Sequence, residues 1–303
     1  MQNVYELVDA NKRRSNFIII GFILFVAVVS YIFTLAFGYD LSVVGIALIF
    51  SGITSFISYY FSDKIILSLS GAREADRNKD FNYYTVTQNL SMAAQIPMPR
   101  LYVIDDSALN AFATGRDPEH AVVVATTGLL AQLDRSELEG VVAHELAHVR
   151  NYDIRLMSLV TVLVGFITLL ADMFLRMGRF GGNKKSSKNS GQVTAVLFVV
   201  GVILALLSPL IANLIKLAIS RRREFLADAS SAKLTRHPEA LARALKKISQ
   251  DKEPLEAANK ATAHLYIENP LRNHHSAIGW FAGLFNTHPP VEERIKALMS
   301  HKL

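Results

Sequence analysis

From Ser15 to Phe37 the chain runs 23 residues without a charged side chain, and from Leu41 to Ser62 it does so again. A helix rises about 1.5 Å per residue, so either run is long enough to cross the roughly 30 Å hydrocarbon core of a bilayer. Inside that core every backbone donor and acceptor must be satisfied within the segment, which for a single run means helix. The first run is too long for a cleaved signal peptide, and no small-residue cleavage site follows it. With Gly38-Tyr39-Asp40 as a tight turn between them, the two runs read as a membrane hairpin. Leu156 to Leu175, charged only at Asp172 near its far end, and Gln192 to Leu217, which Pro209 is expected to kink, read as a second hairpin.

The expectation is therefore an α-helical membrane protein with four transmembrane helices. An N-terminal hairpin (1–63) is followed by a soluble part (64–153), a second hairpin (154–217) and a second soluble part (218–303). A hydrophobic content of 51% and a positive mean hydropathy agree with this. The net charge of +6 does not point to nucleic acid, because Lys12-Arg13-Arg14 and Arg221-Arg222-Arg223 sit beside apolar runs without interleaved aromatics. No nucleic-acid partner is expected; the lipid bilayer is. By the positive-inside rule the three cations at residues 12–14 place the N-terminus and both soluble parts in the cytoplasm. The loop after the third run carries Arg176, Arg179, Lys184, Lys185 and Lys188, against that rule, and is read as crossing despite its charge.

Between the hairpins lies a stretch that changes the question from fold to chemistry: His144-Glu145-Leu146-Ala147-His148. Ser136, with Glu139 three positions on, reads as a capping box opening a helix through it. On that helix His144 and His148 are four residues apart and share a face, so two imidazoles can meet one metal ion. Glu145, next in the chain, is placed to take a proton from a metal-bound water. The helix shows no stop signal after Arg150 and is expected to continue into the third apolar run.

Around this motif the chain reads as α/β. Asp76 to Ala94 is an amphipathic helix ended by Pro97 and Pro99. Leu101 to Asp105, Ala111 to Thr114 and Ala121 to Thr126 are short strands. Pro238 to Ser249 and Val291 to Ser300 are further helices.

Two histidines do not complete a zinc site, and the absence of cysteine leaves the third ligand to His or a carboxylate. Asp153, Glu224, Asp228, His237, His264, His274, His275 and His288 are the candidates. Glu224 and Asp228 lie four apart on one helical face, which suits a ligand and a carboxylate supporting an imidazole. The same spacing also suits two acids neutralising Arg221 to Arg223, and spacing alone leaves both readings open.

Taken together these stretches resemble the HtpX-type integral-membrane metalloproteases, relatives of the CAAX prenyl proteases. The resemblance covers nearly the whole chain. It rests on Asn110-Ala111-Phe112-Ala113-Thr114-Gly115, Thr127-Gly128-Leu129-Leu130, the His144–His148 motif with Asp153, Glu224-Phe225-Leu226-Ala227-Asp228, and His288-Pro289-Pro290 with Arg294-Ile295. It implies a mainly α, α+β zincin (gluzincin)-type catalytic domain carrying a small sheet. It also implies one Zn²⁺ on His144, His148 and Glu224, with Glu145 as base and Asp228 supporting a ligating imidazole. His288 would assist the transition state, and the Asn110-Ala111-Phe112 edge strand would hold an extended substrate. Asp153 reads as a hydrogen-bond partner rather than a ligand. The implied activity is endopeptidase cleavage of misfolded or damaged membrane proteins, in quality control under stress, at the bacterial inner membrane. A zinc-retaining scaffold would be expected to lack Glu145. A transporter would want more ionisable residues in its spans than Asp172.

Overall fold

The computed structural model describes residues 4–37, 40–180, 221–251, 253, 255, 262, 265–267 and 289–300. Helix α1 (Val4–Phe37) and helix α2 (Ser42–Tyr60) form the N-terminal hairpin. Among the described residues one helix, Ser42–Tyr60, is long and apolar enough to cross a membrane by length and composition. The expected span from Gln192 to Leu217 lies outside the described residues, so four spans remain an expectation. Apolar side chains point outward all along the hairpin: Phe17, Ile20, Leu24 and Val28 on α1, Ile46, Ile49, Ile53 and Phe56 on α2.

After α2 the chain turns at Phe61 into helix α3 (Ser62–Leu69) and a two-residue strand β1 (Arg73–Glu74). Helix α4 (Phe81–Ala94) starts five residues later than the sequence suggests. Residues 76–80 instead form a turn, in which the Asp76 carboxylate accepts from the backbone N–H groups of Asn78 and Lys79. An acid that bonds its own backbone competes with helix, and here it wins. The strands fall where expected: β2 (Arg100–Ile104), β3 (Ala111–Thr114) and β4 (Val122–Thr126). They form a mixed sheet in the order β1-β2-β4-β3, with β2 and β4 parallel and the outer strands antiparallel to their neighbours.

Helix α5 (Thr127–Gln132) leads into α6 (Arg135–Arg150), which carries the two histidines. Its capping box is real but sits two residues earlier than the sequence reading placed it. Asp134 is the N-cap and Glu137 the reciprocating residue, while Ser136 donates to the Asp134 carboxylate. A carboxylate can take both bonds at once and so outcompetes the hydroxyl for the cap. Nor does the helix run on. Tyr152 adopts a left-handed φ of 58° and separates α6 from α7 (Asp153–Phe180).

Three later helices close around α6: α8 (Arg221–Thr235), α9 (Pro238–Gln250) and α10 (Val291–Ser300). One continuous core joins the inner face of the sheet, through Ala111 and Ala113, with Val141, Leu146, Leu241 and Leu298. A second core on the far face holds Phe112, Ile66, Leu156 and Tyr266. Helix α9 comes close to α6 at Gly140, where a Cβ would meet the Leu241 backbone at 2.9 Å. Gly140→Ala is therefore expected to push α9 off α6 and lower stability by about 1–3 kcal/mol, offset by at most about 1 kcal/mol of helix propensity. Thermal unfolding in detergent measures it; an unchanged midpoint would mean that the two helices part without cost.

Candidate metal centre

Helix α6 is buried almost all round between Glu137 and Val149, so the polar face at His144, Glu145 and His148 meets protein and not water. Buried polar groups need partners, and each imidazole has one. His144 Nδ1 lies 2.9 Å from Asp228 Oδ1, and His148 Nδ1 lies 3.0 Å from Asp153 Oδ2. With the δ nitrogens engaged, the ε nitrogens are left to face each other, 3.2 Å apart.

Helix α8 completes the triangle. Glu224, Ala227, Asp228 and Ser231 form its buried stripe, and the Ser231 hydroxyl donates to the Gly140 carbonyl at 2.8 Å, fixing α8 against α6. Glu224 then presents Oε2 3.8 Å from His144 Nε2 and Oε1 3.5 Å from His148 Nε2. Three ligand atoms about 2.0–2.1 Å from a tetrahedral zinc would lie about 3.3 Å apart, close to the spacings found here. His144, His148 and Glu224 form the only group among the described residues able to hold a metal ion, and all three are buried.

Charge supports the same fit. Four carboxylates, those of Glu145, Asp153, Glu224 and Asp228, are buried here with two guanidinium groups, those of Arg223 and Arg294. Two negative charges remain, the charge that one dication would balance. The basicity of His148 reports this field. Burial pulls the imidazole down, but the Asp153 hydrogen bond and the charge of Glu224 outweigh it and raise its pKa to about 9. Burial pushes the Asp228 carboxyl up, but Arg294 and His144 outweigh it and hold the pKa at about 2.

Arg294 is the main part of this site that sequence reasoning left without a role. It comes from the C-terminal helix α10 and is wholly buried, with Nε 2.9 Å and Nη2 2.7 Å from the two oxygens of Asp228. Its Nη1 lies 3.7 Å from Glu224 Oε2. The available signal was its place beside Val291 and Leu298 on the apolar stripe of an amphipathic helix, where an arginine needs a buried partner. Arg223, read in the sequence as a membrane-flanking charge, is buried too, and its Nη1 donates to Asp153 Oδ1 at 3.1 Å.

The remaining expected site residues divide. Asn110, Ala111 and Phe112 are all buried on or beside the edge strand β3. The outward carbonyl of Ala111 accepts from the Ile267 N–H at 3.0 Å. Phe112 points away from α6 and packs edge-on against Tyr266, so its side chain does not face the metal ligands. His237 is exposed. His264, His274, His275 and His288 lie outside the described residues.

A sequence model of peptidase family M48 matches residues 78–302. The chain belongs to this family. It is 44% identical over 301 residues to a protease HtpX homolog of Dictyoglomus turgidum, covering 97% of this chain and 93% of that one. It is 41% identical over 301 residues to another from Caldanaerobacter subterraneus subsp. tengcongensis, covering 99% and 98%. The crystal structure of S. mikatae Ste24p aligns with a TM-score of 0.46 at 21% identity, over 97% of this chain and 66% of that one. This M48 peptidase is thus a zinc-dependent membrane metalloprotease, mostly helical with a small mixed sheet.

Removing Arg294 leaves Asp228 buried without its cation. Arg294→Ala should cost about 3–5 kcal/mol in denaturant unfolding. Arg294→Ala combined with Asp228→Asn should cost less than the sum of the two single changes. Strict additivity would show that the two groups do not act as a pair.

Proposed function

We propose that the chain is an endopeptidase in which His144, His148 and Glu224 hold one zinc ion and Glu145 moves the protons. The observation that carries this is the convergence of His144 Nε2, His148 Nε2 and the Glu224 carboxylate, all within 4.8 Å of one another in a buried site. A bound zinc ion there supplies a Lewis acid for the scissile carbonyl and an acidified water. Glu145 accepts the proton of the attacking water and delivers it to the leaving amine. Asp228 and Asp153 hold the two imidazoles by their δ nitrogens, so that the ε nitrogens stay turned inward. His288, next to the Pro289-Pro290 turn that opens α10, serves as a donor to the developing oxyanion.

The substrate enters as an added strand on β3, bonded through the backbone, which makes little demand on sequence. It takes over the Ala111 carbonyl now held by the Ile267 N–H. Asn110 acts as a shaping residue: its side-chain carbonyl accepts from the Ala111 N–H at 3.1 Å. Phe112 anchors the strand from behind, in the core around Tyr266.

The setting is the cytoplasmic face of the inner membrane. The chain passes the bilayer in two hairpins, 1–63 and 154–217, and the parts 64–153 and 218–303 form the catalytic domain on the cytoplasmic side. Outward apolar side chains on α1 and α2 support contact with lipid. So does a belt of cations over aromatic rings at the ends of these helices: Lys12 over Tyr152, Arg155 over Tyr59, Arg116 over Tyr60 and Lys64 over Phe61. Aromatic rings and basic chains gather at the membrane–water boundary. Misfolded or damaged membrane proteins are the substrates that such a site reaches, which makes the reaction one of quality control under stress.

Purified wild type and Glu145→Ala should both contain one zinc per chain, and wild type alone should cleave casein. Zinc without cleavage in either would remove the general-protease reading, and a wild type without zinc would remove the site. His288→Ala should keep its zinc and lose about 10²–10³-fold in turnover. Loss of metal from that variant would make His288 a ligand.

A further inference from the structure

The support of His148 does not end at Asp153. While Asp153 Oδ2 meets His148 Nδ1, its other oxygen, Oδ1, accepts from Arg223 Nη1 at 3.1 Å and from Asn11 Nδ2 at 2.8 Å. Asn11 belongs to α1, the first helix of the membrane hairpin, and is 2% exposed. Its amide is fully used. The same Nδ2 donates to the Asn151 carbonyl at 2.9 Å, and its Oδ1 accepts from Arg223 Nη1 at 3.1 Å. Asn151 and Asp153 flank Tyr152, the left-handed residue where α6 gives way to α7. One side chain from α1 thus grips both sides of the break that lies directly after the metal-binding helix.

We propose that Asn11, acting with Arg223, is a positioning residue for the metal. Two donors on Oδ1 stop the Asp153 carboxylate from rotating, so Oδ2 stays on His148 Nδ1 and His148 Nε2 stays turned toward the ion. Asparagine suits the place because it adds a donor without adding a charge. A third cation would upset the balance of four carboxylates, two guanidinium groups and one dication. The N-terminal hairpin is then a structural part of the metal site as well as its anchor. Asn11 lies outside residues 78–302, the region that the family model matches. The proposal rests on His148 being a ligand.

The test uses the full-length protein in detergent. Asn11→Ala should weaken Zn²⁺ binding about tenfold in competition with a chelator. It should also shift the visible absorption of the Co²⁺-substituted protein, which reports ligand geometry. In an Asp153→Asn background the same change should have little further effect. Asn16→Ala, on the same helix with its side chain toward Arg155, should bind zinc as wild type does. Asn11→Leu keeps the bulk of the side chain while deleting its polar atoms, and reads the same contact should the alanine variant not fold. Unchanged zinc affinity and Co²⁺ spectrum in the Asn11 variants would overturn the proposal. So would a loss of equal size with and without the Asp153 carboxylate, because the effect would then come from helix packing. A wild type that binds no zinc would overturn the metal site itself, and the role of Asn11 with it.

Discussion

Two imidazole ε nitrogens held 3.2 Å apart, away from water, are the contact on which the rest of the site depends. Neither nitrogen gains much from the other, and a pair of buried rings would turn apart if nothing restrained them. The restraint comes from the opposite side of each ring. Asp228 holds His144 and Asp153 holds His148, and each carboxylate is in turn held by a buried arginine, Arg294 or Arg223. Buried ionic groups of this kind contribute little net stability, because desolvation offsets their attraction. What they contribute is a fixed orientation, together with two units of negative charge that suit a zinc ion.

The fold can be understood as the means of bringing these charges together. The ligands come from α6 and α8, and their supports from α7, α8 and α10, with Asn11 reaching in from α1. No one of these helices holds the site alone. Apolar packing brings them into register: Gly140 lets α9 approach α6, and the small residues Ala227 and Ser231 let α8 do the same. The N-terminal hairpin enters through Asn11, whose buried amide bonds to Asn151, Asp153 and Arg223.

Much of this was legible beforehand where the signal is local. The strand at 111–114 matches the reading to the residue, and those at 100–104 and 122–126 to within one at each end. The His144–His148 spacing put two rings on one face, and Glu224 and Asp228 on another. The misses have physical causes. The Asp134 carboxylate took the cap that Ser136 was expected to provide, because it accepts two bonds at once. The break at Tyr152 escaped notice because it contains neither glycine nor proline; contacts of Asn151 and Asp153 with Asn11 hold it in place. Arg223 looked like a membrane-flanking cation, since a basic triplet beside an apolar run does not reveal that one member turns inward.

The sequence by itself determined the chemistry and the lengths. Helical periodicity sets which residues share a face, the number of uncharged residues sets what can span a bilayer, and residue type sets which atoms can bind zinc. These are properties of a few neighbouring residues and survive without a fold. Only the tertiary structure decided which carboxylate serves which histidine, and that Arg294 and Asn11 belong to the site at all. Except for His148 with Asp153, five positions apart, those pairings join residues 66 or more positions apart. They form because burial removes water as the competing partner, so each buried charge must find its counterpart in whatever helix packing brings within about 3 Å.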